Sequence, residues 1–151
     1  MNNTRRSVLK TSGALGTLVA LGLITEKQAL AQANRAGFEA KSLADALKAV
    51  GGTAATSDQV SVVSPDIAEN GAVVPVGATS NLANTTEIHL LVEKNINPLS
   101  ASFFIPAGTE ASVQTRLKMG QSTNVIAIVK ADGKLYSATK ETKVTLGGCG
   151  G

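Results

Sequence analysis

The sequence contains little of what disulfide frameworks, metal sites and aromatic cores are made from. Its 151 residues include one cysteine, one histidine, no tryptophan, one tyrosine and three phenylalanines. A single cysteine excludes an internal disulfide, and one cysteine with one histidine is too few for the usual transition-metal ligand sets. No phosphate loop, nucleotide fingerprint or serine elbow occurs either. We therefore predict no metal site and no resident cofactor, and a core built from Val, Ile, Leu and Ala.

The N-terminal segment has the pattern of an export signal. Residues 4–10, TRRSVLK, carry the paired arginines Arg5 and Arg6 followed by an apolar pair and a lysine, as twin-arginine signals do. The apolar run that follows, residues 14–24, is shorter than the about 18 to 20 residues that span a bilayer. An amphipathic anchor helix is the alternative, and the paired arginines together with a cleavage box argue against it.

That cleavage box is the small-x-small sequence at residues 31–33, so we expect residues 1–33 to be removed. Their removal takes four basic residues and one acidic residue away, which leaves ten of each from totals of 14 and 11. The net charge of +3 therefore belongs to the signal, and a neutral mature chain gives no reason to expect nucleic acid or a stable membrane association. The expected location is the periplasm, reached in the folded state.

The only cysteine, Cys149, stands among four glycines: Gly147, Gly148, Gly150 and Gly151. A core cysteine needs side chains that pack around it, and glycine supplies none. Three extended residues span roughly 10 Å, so this segment can present the thiol beyond the folded domain. We predict that residues 147–151 are an arm that offers a thiol to other molecules; an incidental free thiol at a frayed end is the alternative.

The same glycines argue against catalysis by the chain alone. A cysteine nucleophile needs a base and an orienting group held rigidly beside the sulfur, and a glycine segment cannot hold Cys149 in such a geometry. We therefore predict no catalytic residue and no enzymatic activity of its own. Activation of the thiol would have to come from the site of a partner enzyme.

Periodicity predicts one short helix followed by many short strands. Residues 38–50 carry apolar side chains at helical spacing and end at Gly51-Gly52, which is a typical stop. The remaining pattern predicts an antiparallel immunoglobulin-like β-sandwich. With the helix it makes one mainly β domain over residues 34–146, which the arm follows. The predicted strands are 60–63, 72–76, 86–93, 100–105, 111–119, 124–130, 134–137 and 140–146.

Three finer expectations concern individual positions. Pro75 cannot donate to a strand ladder, so its strand should lie at an edge or carry a bulge. His89 falls on the polar side of its strand, which favours a surface or partner-facing histidine over a metal ligand. Residues 73–76 and 103–105 are apolar enough for a partner interface, although sandwich core is the favoured interpretation for both.

Five segments carry a resemblance to a known family. In order they are AENGAVVPV (68–76), NP (97–98), TRLKM (115–119), DGKL (132–135) and GGCGG (147–151). Together with the twin-arginine signal they resemble SoxY, the sulfur-carrier subunit of the SoxYZ complex in periplasmic thiosulfate-oxidising (Sox) systems. The resemblance extends over essentially the whole chain.

The resemblance implies a covalent carrier that works with other proteins. It implies a heterodimer with a SoxZ-like subunit and transient contacts with three enzymes. SoxAX, a haem enzyme, would conjugate thiosulfate oxidatively to Cys149 as a cysteine S-thiosulfonate, and SoxB would hydrolyse sulfate from it to leave a persulfide. SoxCD, where present, would oxidise the remaining sulfane sulfur. The four glycines would form the swinging arm.

Two other functions remain open at this point. The chain could be a secreted structural or interaction β-sandwich whose thiol only forms an intermolecular disulfide. It could also be a ubiquitin-like sulfur carrier, since those proteins end in Gly-Gly. That chemistry requires adenylation of the terminal carboxylate in the cytosol, which the export signal contradicts.

Overall fold

Two β-sheets and one short helix make up most of residues 35–145, the part of the chain that the computed structural model describes. The helix is α1 (Leu43–Ala49). The strands are β1 (Ala55–Thr56), β2 (Val60–Val63), β3 (Ile67–Ala68), β4 (Val74–Ser80), β5 (Thr85–Val92), β6 (Leu99–Phe104), β7 (Ser112–Leu117), β8 (Thr123–Ala131) and β9 (Lys134–Val144). The predicted signal peptide, its cleavage box and the glycine arm lie outside the described residues.

The larger sheet has the order β1-β9-β8-β5-β6, with β3 also paired to β9, and the smaller sheet has the order β2-β4-β7. All pairings are antiparallel except those of β1 and β3 with β9, which are parallel. The predicted fold class, a mainly β sandwich of antiparallel strands with a short helix, is confirmed. No helix among the described residues is long and apolar enough to cross a membrane.

The sandwich core lies between the two sheets and is aliphatic, as the composition predicts. In β5, predicted at residues 86–93, apolar residues alternate: Ile88, Leu90 and Val92 are fully buried and face the smaller sheet. The partners on the other sheet include Val74 and Val76 of β4. Alternating apolar residues on two facing sheets thus bury one continuous core without a disulfide or a tryptophan.

A second, smaller core covers the opposite side of the larger sheet. Ala46 and Val50, from α1 and its C-terminal end, pack with Leu91 of β5, Leu99 of β6 and Ile128 of β8. On the side of β5 that its sequence marks as polar, Leu91 is therefore buried by this second core.

The helix starts later than residue 38. Residues 35–39 are helical, but the chain then breaks, and α1 begins after Ser42. The Ser42 hydroxyl accepts a hydrogen bond from the Asp45 amide at 3.1 Å, which is the geometry of an N-cap. The predicted end is confirmed, because Gly51 adopts φ 121° directly after the helix.

Pro75 does not lie at an edge, because β4 is the central strand of its sheet. Its pairing explains how the proline is tolerated. Pro75 is opposite Arg116 on β7, whereas pairing with β2 begins only at Gly77, opposite Val63. One side of the strand is therefore unpaired at Pro75, and no ladder hydrogen bond from its nitrogen is needed there.

Candidate functional site

None of the site residues predicted from the sequence lies within the described residues. Cys149 and the four glycines follow the last described residue, Thr145, and Arg5 and Arg6 precede the first. What the structure describes is the place where the chain leaves the sandwich, four residues before Cys149. We call this end of the domain, formed by residues 64–72, 93–98, 118–123 and 143–145, the arm base.

The last strand is fixed to its neighbours as far as Thr145. The Lys143 amide donates to the Asp66 carbonyl at 2.9 Å, and the Thr145 amide donates to the Ala68 carbonyl at 3.1 Å. These bonds extend the parallel pairing of β3 with β9 to the end of the strand. Whatever follows Thr145 therefore starts from a defined position on the domain.

A serine from a neighbouring loop secures the other side of the strand end. Ser122 accepts a hydrogen bond from the Val144 amide at 2.9 Å, and its hydroxyl is 3.4 Å from the Val144 carbonyl oxygen. The Met119 amide donates to the Gly71 carbonyl at 2.7 Å. The loops around the arm base are thus tied to one another and to β9.

Gly71 is at the centre of this arrangement because no side chain fits there. A Cβ at this position would lie 2.8 Å from Cγ1 of Val144 and would collide with the carbonyl oxygen of Met119. The close approach of the three segments requires glycine. The sequence marks Glu69-Asn70-Gly71 as a turn, but it does not show that this turn supports the end of β9.

Within the described residues, four polar side chains also form a hydrogen-bonded network on the helix side of the larger sheet. Lys130 Nζ is 3.0 Å from Glu87 Oε1, Glu87 Oε2 is 3.1 Å from His89 Nε2, and His89 Nδ1 is 2.9 Å from Ser102 Oγ. The hydrogen bond from His89, together with the Lys130 ammonium, lowers the pKa of Glu87 to about 2 although burial opposes this shift. A carboxylate can only accept, so Nε2 of His89 carries the proton.

This network contains a hydroxyl, an imidazole and a carboxylate, as a catalytic triad does, but a substrate could not reach it. His89 is 1% exposed, so the expectation of a surface or partner-facing histidine is wrong. A substrate cannot reach the imidazole, and each polar group already has a partner. We interpret the four residues as a network that satisfies both ring nitrogens of the buried His89. No group of three or more metal-binding side chains occurs among residues 35–145.

The two apolar segments considered for a partner interface are largely core. Val74 and Val76 are fully buried, and Phe103 and Ile105 pack against the sandwich core, so the favoured interpretation is confirmed for these four. Two large hydrophobic residues of these segments are not core: Val73 is 51% exposed, and Phe104 is 53% exposed at the far end of β6 from the arm base.

Comparisons with known proteins match the chain over most of its length. The family model described as sulfur oxidation protein SoxY matches residues 46–149, a match that ends on Cys149. The structure of the sulfur carrier protein SoxY from Chlorobium limicola f thiosulfatophilum is 36% identical, with a TM-score of 0.64, and the match covers 71% of this chain and 95% of that one.

The human F-spondin reeler domain is matched at 12% identity over 62% of this chain and 93% of that one, but its TM-score of 0.38 carries no argument. No curated protein sequence matches.

Proposed function

Since the chain belongs to the SoxY family of sulfur oxidation proteins, we propose that it is a covalent sulfur carrier that holds intermediates of thiosulfate oxidation on Cys149. One observation carries the proposal: the family match extends into the glycine-rich segment and ends on the only cysteine of the chain. The match to a structure named as a sulfur carrier protein supports the same function.

The proposed chemistry begins with an oxidative conjugation. The Cys149 thiol and the sulfane sulfur of thiosulfate form an S–S bond, which releases one proton and two electrons and gives the cysteine S-thiosulfonate. A SoxAX-type haem enzyme would take up both electrons, one per haem-iron reduction. The carrier's own contribution is a thiolate-forming sulfur at an accessible position, and activation of that sulfur comes from the enzyme's site.

The second step is a hydrolysis without redox change. A SoxB-type enzyme adds water to the terminal sulfone group, the S–S bond to that group breaks, and hydrogensulfate leaves while a persulfide stays on Cys149. A SoxCD-type enzyme, where present, oxidises the sulfane sulfur further. The redox and hydrolytic centres belong to those enzymes, and we assign no resident cofactor, metal or catalytic residue to this chain.

The construction of the arm base fits a carrier. Val144 is held by Ser122 and Thr145 by Ala68, and after Leu146 the segment 147–151 contains only glycine apart from Cys149. We propose that Gly147, Gly148 and the two glycines after Cys149 form a swinging arm that enters narrow enzyme sites in turn. A fixed starting point limits the volume that the thiol samples and keeps its effective concentration near docked enzymes high.

We further propose that the protein works in the periplasm as a heterodimer with a SoxZ-like subunit. The paired arginines Arg5 and Arg6 and the cleavage box support export by the twin-arginine route, which carries folded proteins and their bound partners. Assembly with the second subunit would then precede export.

Replacement of the cysteine tests the carrier function directly. We expect Cys149→Ser to leave the free energy of unfolding unchanged within about 0.5 kcal/mol, because the residue lies beyond the last anchored strand. We expect the same variant to abolish thiosulfate-dependent electron transfer to SoxAX, because the hydroxyl cannot form the S–S bond. Chemical denaturation and haem reduction measure the two effects.

A matched control is Ser122→Cys/Cys149→Ser, which keeps one thiol in the chain but places it in the arm base. It should be as inactive as Cys149→Ser. Full activity of either variant would contradict the proposal, and a loss only of disulfide-linked dimers would favour the structural sandwich instead.

A further inference from the structure

A groove of about 490 Å³ opens at the arm base, between the loop after β5 and the loop after β7. Residues 94–97 form one wall, and Lys118, Gly120 and Gln121 form the other. The lining contains two lysines and no acidic residue, and within residues 35–145 neither Lys94 nor Lys118 takes part in an ion pair. We call this the Lys94–Lys118 groove.

An aliphatic side chain stands beside the two cations. Ile96 is 79% exposed, the highest value among the exposed large hydrophobic residues of the described part of the chain. An aliphatic side chain kept in water contributes nothing to the stability of the fold and is available for burial against another molecule. The groove thus offers two positive charges and one apolar contact.

The groove has a fixed position relative to the start of the arm. The Asn95 side-chain amide donates to the Lys118 carbonyl at 2.7 Å, which joins the two walls. The second wall continues into Ser122, which is hydrogen-bonded to Val144. A molecule bound in the groove is therefore held at a defined place beside the last residues of β9.

The length of chain between the fold and the thiol limits where a partner can bind. Cys149 is four residues beyond Thr145, and four extended residues span at most about 14 Å. An enzyme that reacts with Cys149 must place its reactive centre within about that distance of Thr145. Its surface must then face the arm base, where the groove lies.

We propose that the Lys94–Lys118 groove is the docking site for the enzymes that process Cys149, and that its occupant is an acidic segment of the enzyme with an apolar side chain beside the carboxylates. The proposal rests on the proposed function, because it requires separate enzymes that act on the carrier. The two lysines without ion pairs provide the charge complementarity, and Ile96 provides the apolar contact. A small oxoanion would leave Ile96 and most of the groove unused.

The test uses the full mature chain in complex with its SoxZ-like subunit, and the SoxAX-type enzyme with thiosulfate as the probe. We expect the double variant Lys94→Glu/Lys118→Glu to lower the efficiency of conjugation about tenfold or more through a higher KM for the carrier, with kcat unchanged at saturation. The wild-type efficiency should fall as salt is added, whereas that of the double variant should rise, because salt screens the repulsion between its glutamates and the acidic segment.

The chain offers a matched control for each change. Lys134 is also exposed and without an ion pair among the described residues, but it lies at the opposite end of the sandwich. The conjugation efficiency of Lys134→Glu should therefore stay within about twofold of wild type, whereas that of Lys118→Glu should not. Phe104→Ser at that far end is the control for Ile96→Ser. The rate at which iodoacetamide alkylates Cys149 should be equal in all variants, which shows that the thiol itself is unchanged.

Each contrary result has a distinct meaning. Equal KM values for wild type and the groove variants would overturn the docking site and leave the carrier function intact. Loss of the SoxZ-like subunit from the groove variants would also overturn it, because the groove would then be the subunit interface. Binding of thiosulfate alone to wild type but not to the variants, measured by calorimetry, would make it an anion site and overturn the proposal too. A wild-type chain that is never conjugated would overturn the carrier function and the docking site together.

Discussion

At the scale of single residues, Glu87 shows how the fold accommodates a buried imidazole. The carboxylate lies between Lys130 Nζ and His89 Nε2, and its side chain is only 12% exposed. Both contacts favour the ionised form, which is why its pKa falls to about 2. The ionised carboxylate therefore stabilises the folded state above its unfolded pKa of about 4.5, and the contribution is lost as the pH falls towards 2.

Substitution of this residue should consequently have an effect that depends on pH. We expect Glu87→Gln to lower the free energy of unfolding by about 2 kcal/mol at pH 7, and we expect the difference from wild type to shrink below about 1 kcal/mol near pH 3. Urea denaturation of both proteins between pH 7 and pH 3 measures this difference in the free energy of unfolding. Glu141→Gln, at an exposed position of β9, should show no such trend; a difference for Glu87→Gln that is constant with pH would contradict the role assigned to the ionised network.

At the scale of secondary-structure elements, β9 connects most of the larger sheet to the arm. Its 11 residues pair with β8 on one side and with β1 and β3 on the other. The strand end is secured by backbone bonds to β3 and by Ser122, so its position depends on loops that approach closely at Gly71.

Two glycines near the arm base allow that close approach to be tested. Gly71→Ala should lower the free energy of unfolding by about 1 to 3 kcal/mol, because the added methyl group collides with Val144 and with the Met119 carbonyl. Gly120→Ala should change it by less than about 0.5 kcal/mol, because a Cβ there meets nothing within 4 Å. The two variants are compared by their midpoints of urea denaturation, and equal midpoints would contradict the close packing around Gly71.

The elements with strict alternation could be predicted from the sequence, because one face of each is buried. In β7, whose strand is predicted at residues 111–119, Val113 and Leu117 pack with the sandwich core and Arg116 is exposed. The predicted break at Ala138-Thr139 between two strands is wrong, because β9 runs without interruption from Lys134 to Val144 and its middle has little apolar alternation to detect. The two-residue strands β1 and β3 depend on their pairing with β9 and have no local signal.

The burial of His89 could not be predicted for a related reason. Alternation in β5 separates its two faces correctly, but it does not show that a second core forms on the polar one as well. The cross-strand partner Ser102 and the neighbour Lys130 come from distant parts of the sequence, and only the register brings them to His89. The glycine-rich arm, by contrast, could be proposed from composition alone, and the loops that support its base could not.

At the scale of the whole molecule, we propose a folded domain that binds partners and a short segment that carries the cargo. We also propose export in the folded state, which Arg5→Lys/Arg6→Lys tests. We expect the double variant to stay in the cytoplasm with the N-terminal 33 residues attached, because the twin-arginine route recognises the arginine pair. Wild type should be periplasmic with Asn34 as its first residue.

Cell fractionation and the intact mass of the purified protein decide this prediction. Periplasmic recovery of the double variant at the wild-type level would contradict export by this route.

The most direct test of the central claim is the mass of the C-terminal peptide of the wild-type complex after each enzymatic step. With thiosulfate and the SoxAX-type enzyme, the account predicts one added thiosulfate on the peptide that contains Cys149; after the SoxB-type enzyme, it predicts the mass of a persulfide, with one sulfate released. A Cys149 peptide that stays unmodified while both enzymes turn over would contradict the account.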